Sequence, residues 1–398
     1  MLDLIDSEMS SRVLSRAQEL SPKLIDLRRN IHRRPELGFE EFETVVQIRR
    51  TIEENSSGVK VSEIAKTGVL AIIGDNPSVL LRASIDALPI SEFNDTDYVS
   101  LVNGKSHVCG HDAQIAALVG ATILLSEQDS PPSIACLFQP AEEIDLGAKA
   151  VIETGVLQQF PLRTIIGFHG TPAIDAGYFG VSSGPVMACI TTIYCRIEGH
   201  GSHGAEPHLG SDPISSLAAL ISDWQIAINR RIDSRESVVL SVGKVEAGTT
   251  ANVIPSTAIL EATLRYLNPD LGTALETVIQ DVARSVEVKF ATAIHLKIER
   301  MVPALVNDER VTSYVSGGIT DVAGPEGLLA AIPSLGGDDF SFYLESIPGC
   351  YFFVGERQGN RPPYGWHDPT YDIDEKSIAL AAAVLTMTGI RAGQGEQI

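Results

Sequence analysis

The chain has 398 residues, 44% of them hydrophobic and 20% charged, enough for a full apolar core and for two domains, which excludes a disordered or fibrous protein. Its formal net charge of −21 disfavours nucleic-acid and membrane-surface partners, since one polyanion gains nothing from meeting another, and leaves small molecules or proteins. No run approaches the roughly 20 apolar residues of a membrane span, the first twenty residues lack the apolar core of a leader, and Cys109, Cys136, Cys189, Cys195 and Cys350 form no paired framework, so reduced thiols in a cytoplasm are expected.

In chain order, residues 13 to 33 have helical periodicity ending near Pro35. The runs "VLAIIG", "SVLLRASID", "SIACLFQP" and "RTIIGFHG" then alternate with helix-like stretches, which predicts an α/β layer with a largely buried sheet. Three of these runs end in Asp86, in Glu142 with Glu143, and in His169. In open α/β sheets ligands sit at the carboxyl ends of strands, so the site is expected there. From about residue 186 the rhythm changes. "VMACITTIYCRIEG" reads as a strand, "DPISSLAALISDWQIAINRRI" as a helix, "SVVLSVGKVEAG" and "ANVIPSTAILEATLRYL" as strands, "LGTALETVIQDVARSVEV" as a helix and "TAIHLKIER" as a strand. The order β-α-β-β-α-β is the ferredoxin-like unit. After about residue 298 the α/β pattern returns, with strand "GCYFFVG" and a last helix over "DEKSIALAAAVLTMTGI". The expected fold class is therefore α/β: a sheet-and-helix domain over residues 1–185 plus 298–398, with a ferredoxin-like domain inserted at 186–297.

Four stretches carry the chemistry: "HVCGHD", "FQPAEE", "GFHGTP" and "YGWHDPTYDIDE". They offer a thiolate, three imidazoles and a carboxylate as metal ligands, a supply that suits two divalent ions better than one structural zinc. Adjacent Glu142 and Glu143 can divide the work, one binding metal and the other handling a proton. Singly, each signal is weak. Cys109 alone reads as a core cysteine, the glutamates as a solvated loop pair, and His169 and His367 as structural histidines; their joint occurrence reverses those readings. Asp112 reads as an N-cap of the helix starting beside it. His32, His107, His200 and His295 read as structural or solvated, and the other four cysteines as core.

The same stretches, together with "LRRNIHRRPELGFEE", "LRASIDALPI", "GHGSHGAEPHLGSDPI", "GTTANVIPSTAILEATLR" and "GGDDFSFYL", stand in one order along nearly the whole chain. In them the sequence resembles the co-catalytic two-metal aminoacylases and carboxypeptidases, within them the branch of hippurate hydrolases and auxin-conjugate (IAA-amino acid) amidohydrolases. The resemblance implies that Cys109, His111, Glu143, His169 and His367 bind two divalent metal ions per chain, zinc or manganese, with cobalt or nickel also compatible. It implies that Glu142 is the general base and that Asp86 orients a ligand. His203 matches a histidine that reaches from the small domain of a neighbouring subunit to stabilise an oxyanion, and Asn252 and Arg265 match residues that engage the substrate carboxylate or the tetrahedral intermediate.

The implied activity is metal-dependent hydrolysis of the amide bond of an N-acyl amino acid or related small conjugate. The implied assembly is a homodimer or higher homo-oligomer joined through the inserted lid/dimerisation domain. The branch usually has aspartate at Ser84, histidine at Gln114 and glutamate at Asp338; these departures spare every expected ligand but alter its surroundings. Two other readings compete. A cysteine-nucleophile hydrolase built on Cys109 leaves Glu142, Glu143 and His367 without a task. A catalytically impaired metal-binding homologue with a ligand-binding or regulatory role has no need of Glu142.

Overall fold

The computed structural model describes residues 7–130, 133–359 and 365–395, so the first six residues and Tyr364 of the last motif lie outside the description. The chain divides into two compact units, one of Met1–Val186, Val306–Ile332 and Asp338–Ile398, the other of Met187–Leu305 and Pro333–Gly337.

The first unit runs α1 (Ser7–His32), α2 (Phe42–Asn55), β1 (Val59–Ile64), β2 (Gly68–Ile73), β3 (Val79–Ser84), α3 (His111–Ser126), β4 (Ile134–Gln139), α4 (Gly147–Glu153), β5 (Thr164–Asp175) and β6 (Phe179–Gly180). It resumes with α5 (Glu309–Ala323), β7 (Leu328–Leu329), β8 (Gly349–Arg357) and α6 (Lys376–Gly395). The helix expected over residues 13 to 33 starts earlier, at Ser7, and buries Val13, Ala17, Leu20, Leu24, Leu27 and Ile31 along one stripe.

One sheet has the order β1-β2-β4-β3-β5-β8-β6-β7. Its centre, β4-β3-β5-β8, is parallel, while β1 and β2 are antiparallel additions at one side. Every residue of β3 and β4 is buried, as parallel strands covered on both faces require. The helix α3 is apolar almost all round and buried from His111 to Leu125. Such a helix has no face to offer water, and it packs against α1, α6 and the sheet. The sequence run "AALVGATILL" thus anchors whatever stands at its amino end.

The second unit has helices Pro213–Arg231 and Gly272–Phe290 and four long strands. The strands lie in the order Val238–Ala247, Thr257–Tyr266, Cys189–Glu198, Ala293–Val302, all antiparallel. Along Thr257–Tyr266, alternate residues Ala258, Leu260, Ala262, Leu264 and Tyr266 are buried. They belong to one core with Leu220 and Trp224 of the first helix and Leu275 and Ile279 of the second, the one-sided burial of an antiparallel sheet. Asp212 caps the first helix by accepting from the Ile214 amide at 2.9 Å, with Pro213 at the first helical position, where its missing N–H costs nothing.

Candidate metal and catalytic site

The expected ligands all fall in the first unit. Asp86 follows the end of β3, Glu142 and Glu143 follow the end of β4, and His169 lies within β5. Because these three strands are parallel neighbours, their carboxyl ends share one edge of the sheet. Cys109 and His111 flank Gly110 at the mouth of α3. Gly110 has φ 88°, a left-handed conformation open to glycine without penalty, and an added Cβ there would lie 2.9 Å from the Tyr371 hydroxyl.

Asp86 organises the centre. Its backbone carbonyl accepts from His111 Nδ1 at 2.9 Å and its Oδ2 accepts from the Glu143 amide at 2.9 Å. With Nδ1 donating to that carbonyl, Nε2 is the His111 ring atom turned toward the acids, 3.7 Å from Glu142 Oε2 and 4.0 Å from Glu143 Oε1. His169 follows the same logic: Nδ1 donates to the Gly170 carbonyl at 2.7 Å, leaving Nε2 3.4 Å from Cys109 Sγ. The Trp366 indole donates to that same carbonyl at 2.8 Å and meets the His169 ring edge-on. His367 places Nε2 3.5 Å from Glu143 Oε2; its left-handed φ of 67° is held by a hydrogen bond from its amide to the Val108 carbonyl.

Donor atoms of Cys109, His111 and His169 lie within 4.8 Å of one another, and so do those of Cys109, Glu143 and His367. Among the described residues, His111 Nε2, Glu143 Oε1 and Asp86 Oδ1 are buried without a hydrogen-bond partner. Buried polar atoms are ordinarily satisfied, and unshared lone pairs converging on thiolate and imidazole donors are what a divalent cation satisfies. The residues therefore fit a metal site.

The electrostatics agree. Burial, then the charges of Asp338 and Glu143, pushes Glu142 well above the carboxylate range, and burial lifts Glu143 to about 7. Burial would lower His111, but the hydrogen bond and charge of Asp86 and the charge of Glu143 raise it to about 9; burial and the His111 charge lower His169 to about 4. Crowded acids of this kind are relieved when cations enter. Burial and the neighbouring glutamates also raise the Cys109 thiol, the opposite of the depressed pKa that activates a cysteine nucleophile.

The N-cap expected at Asp112 is not found. The cap position of α3 is Gly110, and the Asp112 carboxylate instead accepts from Arg28 Nε at 2.6 Å and pairs with His32 Nδ1 at 2.8 Å. A fully buried guanidinium outcompetes a backbone amide for that oxygen. Of the two readings open for His32, structural or solvated, the buried ring takes the structural one, its Nε2 lying 3.1 Å from Glu92.

His203, Asn252 and Arg265 lie in the second compact unit rather than in the one that holds the ligands. The His203 backbone is next to that of Asn252, since the Gly204 amide donates to the Asn252 carbonyl at 2.8 Å; both side chains are exposed. Arg265 donates to the Leu335 carbonyl at 2.9 Å. Two of the three departures prove to be one place: Gln114 Oε1 accepts from the Ser84 amide at 3.2 Å. The third, Asp338, pairs with Arg82 at 3.2 Å and accepts from the Tyr351 hydroxyl.

Sequence reasoning passed over Arg82, Gln139 and Asp339, which form a buried network beside Glu142. Burial, opposed by the Arg82 charge, puts Asp339 at about 7. The signal was present: an arginine inside the buried strand "VLLRAS" demands an anion, and "GGDDF" supplies two.

A cysteine sulfur, imidazoles and carboxylates gathered at the carboxyl edge of a parallel sheet, with a spare buried acid beside them, define the metallohydrolase class. The chain belongs to peptidase family M20/M25/M40, whose sequence profile matches residues 80–388. It is 39% identical over 373 residues to N-acetyl-L-cysteine deacetylase of Bacillus subtilis (92% of this chain, 87% of that one), and 33% identical over 389 residues to IAA-amino acid hydrolase ILR1-like 4 of Arabidopsis thaliana (95% and 88%). Among solved structures it is similar to a Bacillus subtilis protein described as a dinuclear metal binding peptidase of family M20, with TM-score 0.82 and 31% identity over 95% of this chain and 99% of that one.

Proposed function

We propose that this chain is a metal-dependent amidohydrolase that cleaves the amide bond of N-acyl amino acids or related small conjugates. The observation that carries the reading is the pair of overlapping donor groups that share Cys109, with Glu142 beside them. Its relatives' names, a deacetylase of N-acetyl-L-cysteine and a hydrolase of IAA-amino acids, support the substrate class.

Two divalent ions, zinc or manganese by preference and cobalt or nickel as alternatives, would supply Lewis-acid polarisation of the scissile carbonyl and acidify water; Cys109, His111, Glu143, His169 and His367 would hold them. Asp86 fixes the His111 ring and the Glu143 backbone. Glu142, buried and next to His111, takes the proton from the attacking water and returns it to the leaving amine. His203 contributes to oxyanion stabilisation from a neighbouring subunit in a dimer built through the second unit. Asn252 and Arg265 bind the substrate carboxylate, the guanidinium in its planar fork. A cytoplasmic location completes the proposal.

The test is elemental analysis of the purified protein together with turnover of N-acetyl, N-benzoyl and indole-acyl amino acids before and after chelation. Activity lost on chelation and recovered with added zinc, manganese, cobalt or nickel is expected. Activity indifferent to chelators would overturn the reading.

A further inference from the structure

Glu142 and Glu143 stand on the loop between Gln139, the last residue of β4, and Gly147, the first of α4. Its backbone is cramped: Ala141 and Asp145 have φ of 53° and 56°, and a Cβ on Gly147 would lie 1.7 Å from the Pro140 carbonyl oxygen. Conformations of this kind persist when their surroundings over-determine them. Here one side chain reaches both ends. Asp339 Oδ1 accepts from Gln139 Nε2 at 2.7 Å, and its Oδ2 accepts from the Ala148 amide at 2.8 Å. Oδ1 also accepts from Arg82 Nη2 at 2.8 Å, and Arg82 Nε and the Tyr343 hydroxyl hold Gln139 Oε1 from the other side, each at 2.9 Å.

We propose that Asp339 is a positioning residue for the reaction: by clamping Gln139 and the Ala148 amide together, it fixes where the Glu142 base and the Glu143 ligand stand. The inference rests on the amidohydrolase reading above. Its neighbour cannot substitute, because Asp338 accepts from the Phe340 amide and the Tyr351 hydroxyl and meets Arg82, with no hydrogen bond to either end of the loop. The chemistry also demands a carboxylate. Donors face both oxygens, and an asparagine in the same volume must turn its NH2 toward one of the two ends.

That asymmetry supplies the test. Asp339→Asn opens one end of the clamp, whereas Asp339→Asn combined with Gln139→Glu closes it again. The introduced glutamate keeps an acceptor for Arg82 Nε and the Tyr343 hydroxyl and offers a second one to the asparagine NH2, while Arg82 Nη2, which loses Asp339 Oδ1, retains Asp338 Oδ1 at 3.2 Å. The asparagine oxygen is then left for the Ala148 amide, and the net charge is unchanged. Two readouts are needed: hydrogen exchange over residues 140–148 of the metal-free protein, and kcat and KM on an N-acetyl amino acid with zinc at saturation.

For Asp339→Asn, exchange in that segment rises about tenfold while the central strands keep their protection. In the same variant kcat falls by at least about tenfold with KM held within about twofold, since small displacements of reacting groups are costly. The double variant restores both. Exchange and kcat both unaltered in Asp339→Asn, loss of protection spread over the whole first unit, or no recovery in the double variant would each overturn the clamp. Should Asp339→Asn fail to fold, Gln139→Met removes the donor at the other end of the clamp in a similar volume. It is expected to raise exchange in the same loop, and unaltered exchange there would overturn the proposal. A wild-type protein that hydrolyses none of these substrates would sink the amidohydrolase reading, and the exchange measurements would still decide the clamp.

Discussion

Replacing Arg28 with methionine removes a cation shared by three acids. Its guanidinium donates to Asp112 at 2.6 Å, Asp372 at 3.1 Å and Glu375 at 3.2 Å, and the residue is 1% exposed. Breaking a buried ion pair from one side costs about 3–5 kcal/mol. Each acid keeps a partner: Asp112 has His32 at 2.8 Å, Asp372 the Tyr98 hydroxyl at 2.8 Å, and Glu375 has Arg29 at 2.7 Å. The lower end, about 3 kcal/mol, is therefore expected.

The dependence on pH has a definite sign. Burial would raise the Asp112 carboxyl, but the charges of Arg28 and His32 hold it far below the usual range. Its contribution in the wild type is complete above the unfolded value of about 3.9, and is lost only as pH falls through the lower folded value. It is therefore flat between pH 5.5 and 8. Without Arg28, His32, whose raised value burial and that guanidinium hold down, rises further; its proton uptake favours the folded state in acid, and the deficit shrinks from pH 8 toward pH 5.5. The chain has two tryptophans, Trp224 in the second unit and Trp366 in the first. A Trp224→Phe background thus leaves fluorescence that reports urea unfolding of the first unit alone. A deficit under about 1 kcal/mol at pH 8, or one that grows on acidification, would refute the reasoning.

Glu142→Gln is expected to lower kcat by about 10²–10⁴-fold while the metal content found by elemental analysis stays as in the wild type; loss of metal instead would make Glu142 a ligand. Cys109→Ser exchanges a soft thiolate for a hydroxyl and should weaken zinc binding by at least about tenfold in chelator competition, and unchanged affinity would remove Cys109 from the ligand set. Gly147→Ala forces the Pro140 carbonyl aside and should lower kcat by about a hundredfold, with Trp224 fluorescence unfolding of the second unit unaltered; full activity would mean the loop tolerates the shift.

The strands of the first unit were legible because each is a short, nearly unbroken apolar run ending in a polar residue, as at "SVLLRASID" and "SIACLFQP". The stretch "ANVIPSTAILEATLRYL" was legible as strand, though it holds two, Val253–Ile254 and Thr257–Tyr266. The ligands were legible as a set, since thiolate, imidazole and carboxylate recur at strand ends; none was legible singly. What escaped were the groups that touch no expected ligand. Nothing in local spacing connects Arg28 with Asp372, or Arg82 with Asp339, because those partners meet only through tertiary packing. Asp112 was misread for the same reason: its neighbours in sequence suggest a cap, and its partner is 84 residues away.

The pairing of β5 with β8 also has a consequence for how the chain is made. β5 is a central strand, bonded to β3 on one side and to β8 on the other. Synthesis runs from Asp175 through the entire second unit before Arg357 emerges, which takes roughly ten to forty seconds at about 5–20 residues per second. During that interval the buried run "TIIGFHG" has an open edge, the arrangement most prone to pairing with other chains. His367, the last of the expected ligands, arrives later still. The nascent first unit is thus a half-sheet with an incomplete metal pocket, and only the segment from Gly349 through His367 can both seal the edge and complete the centre.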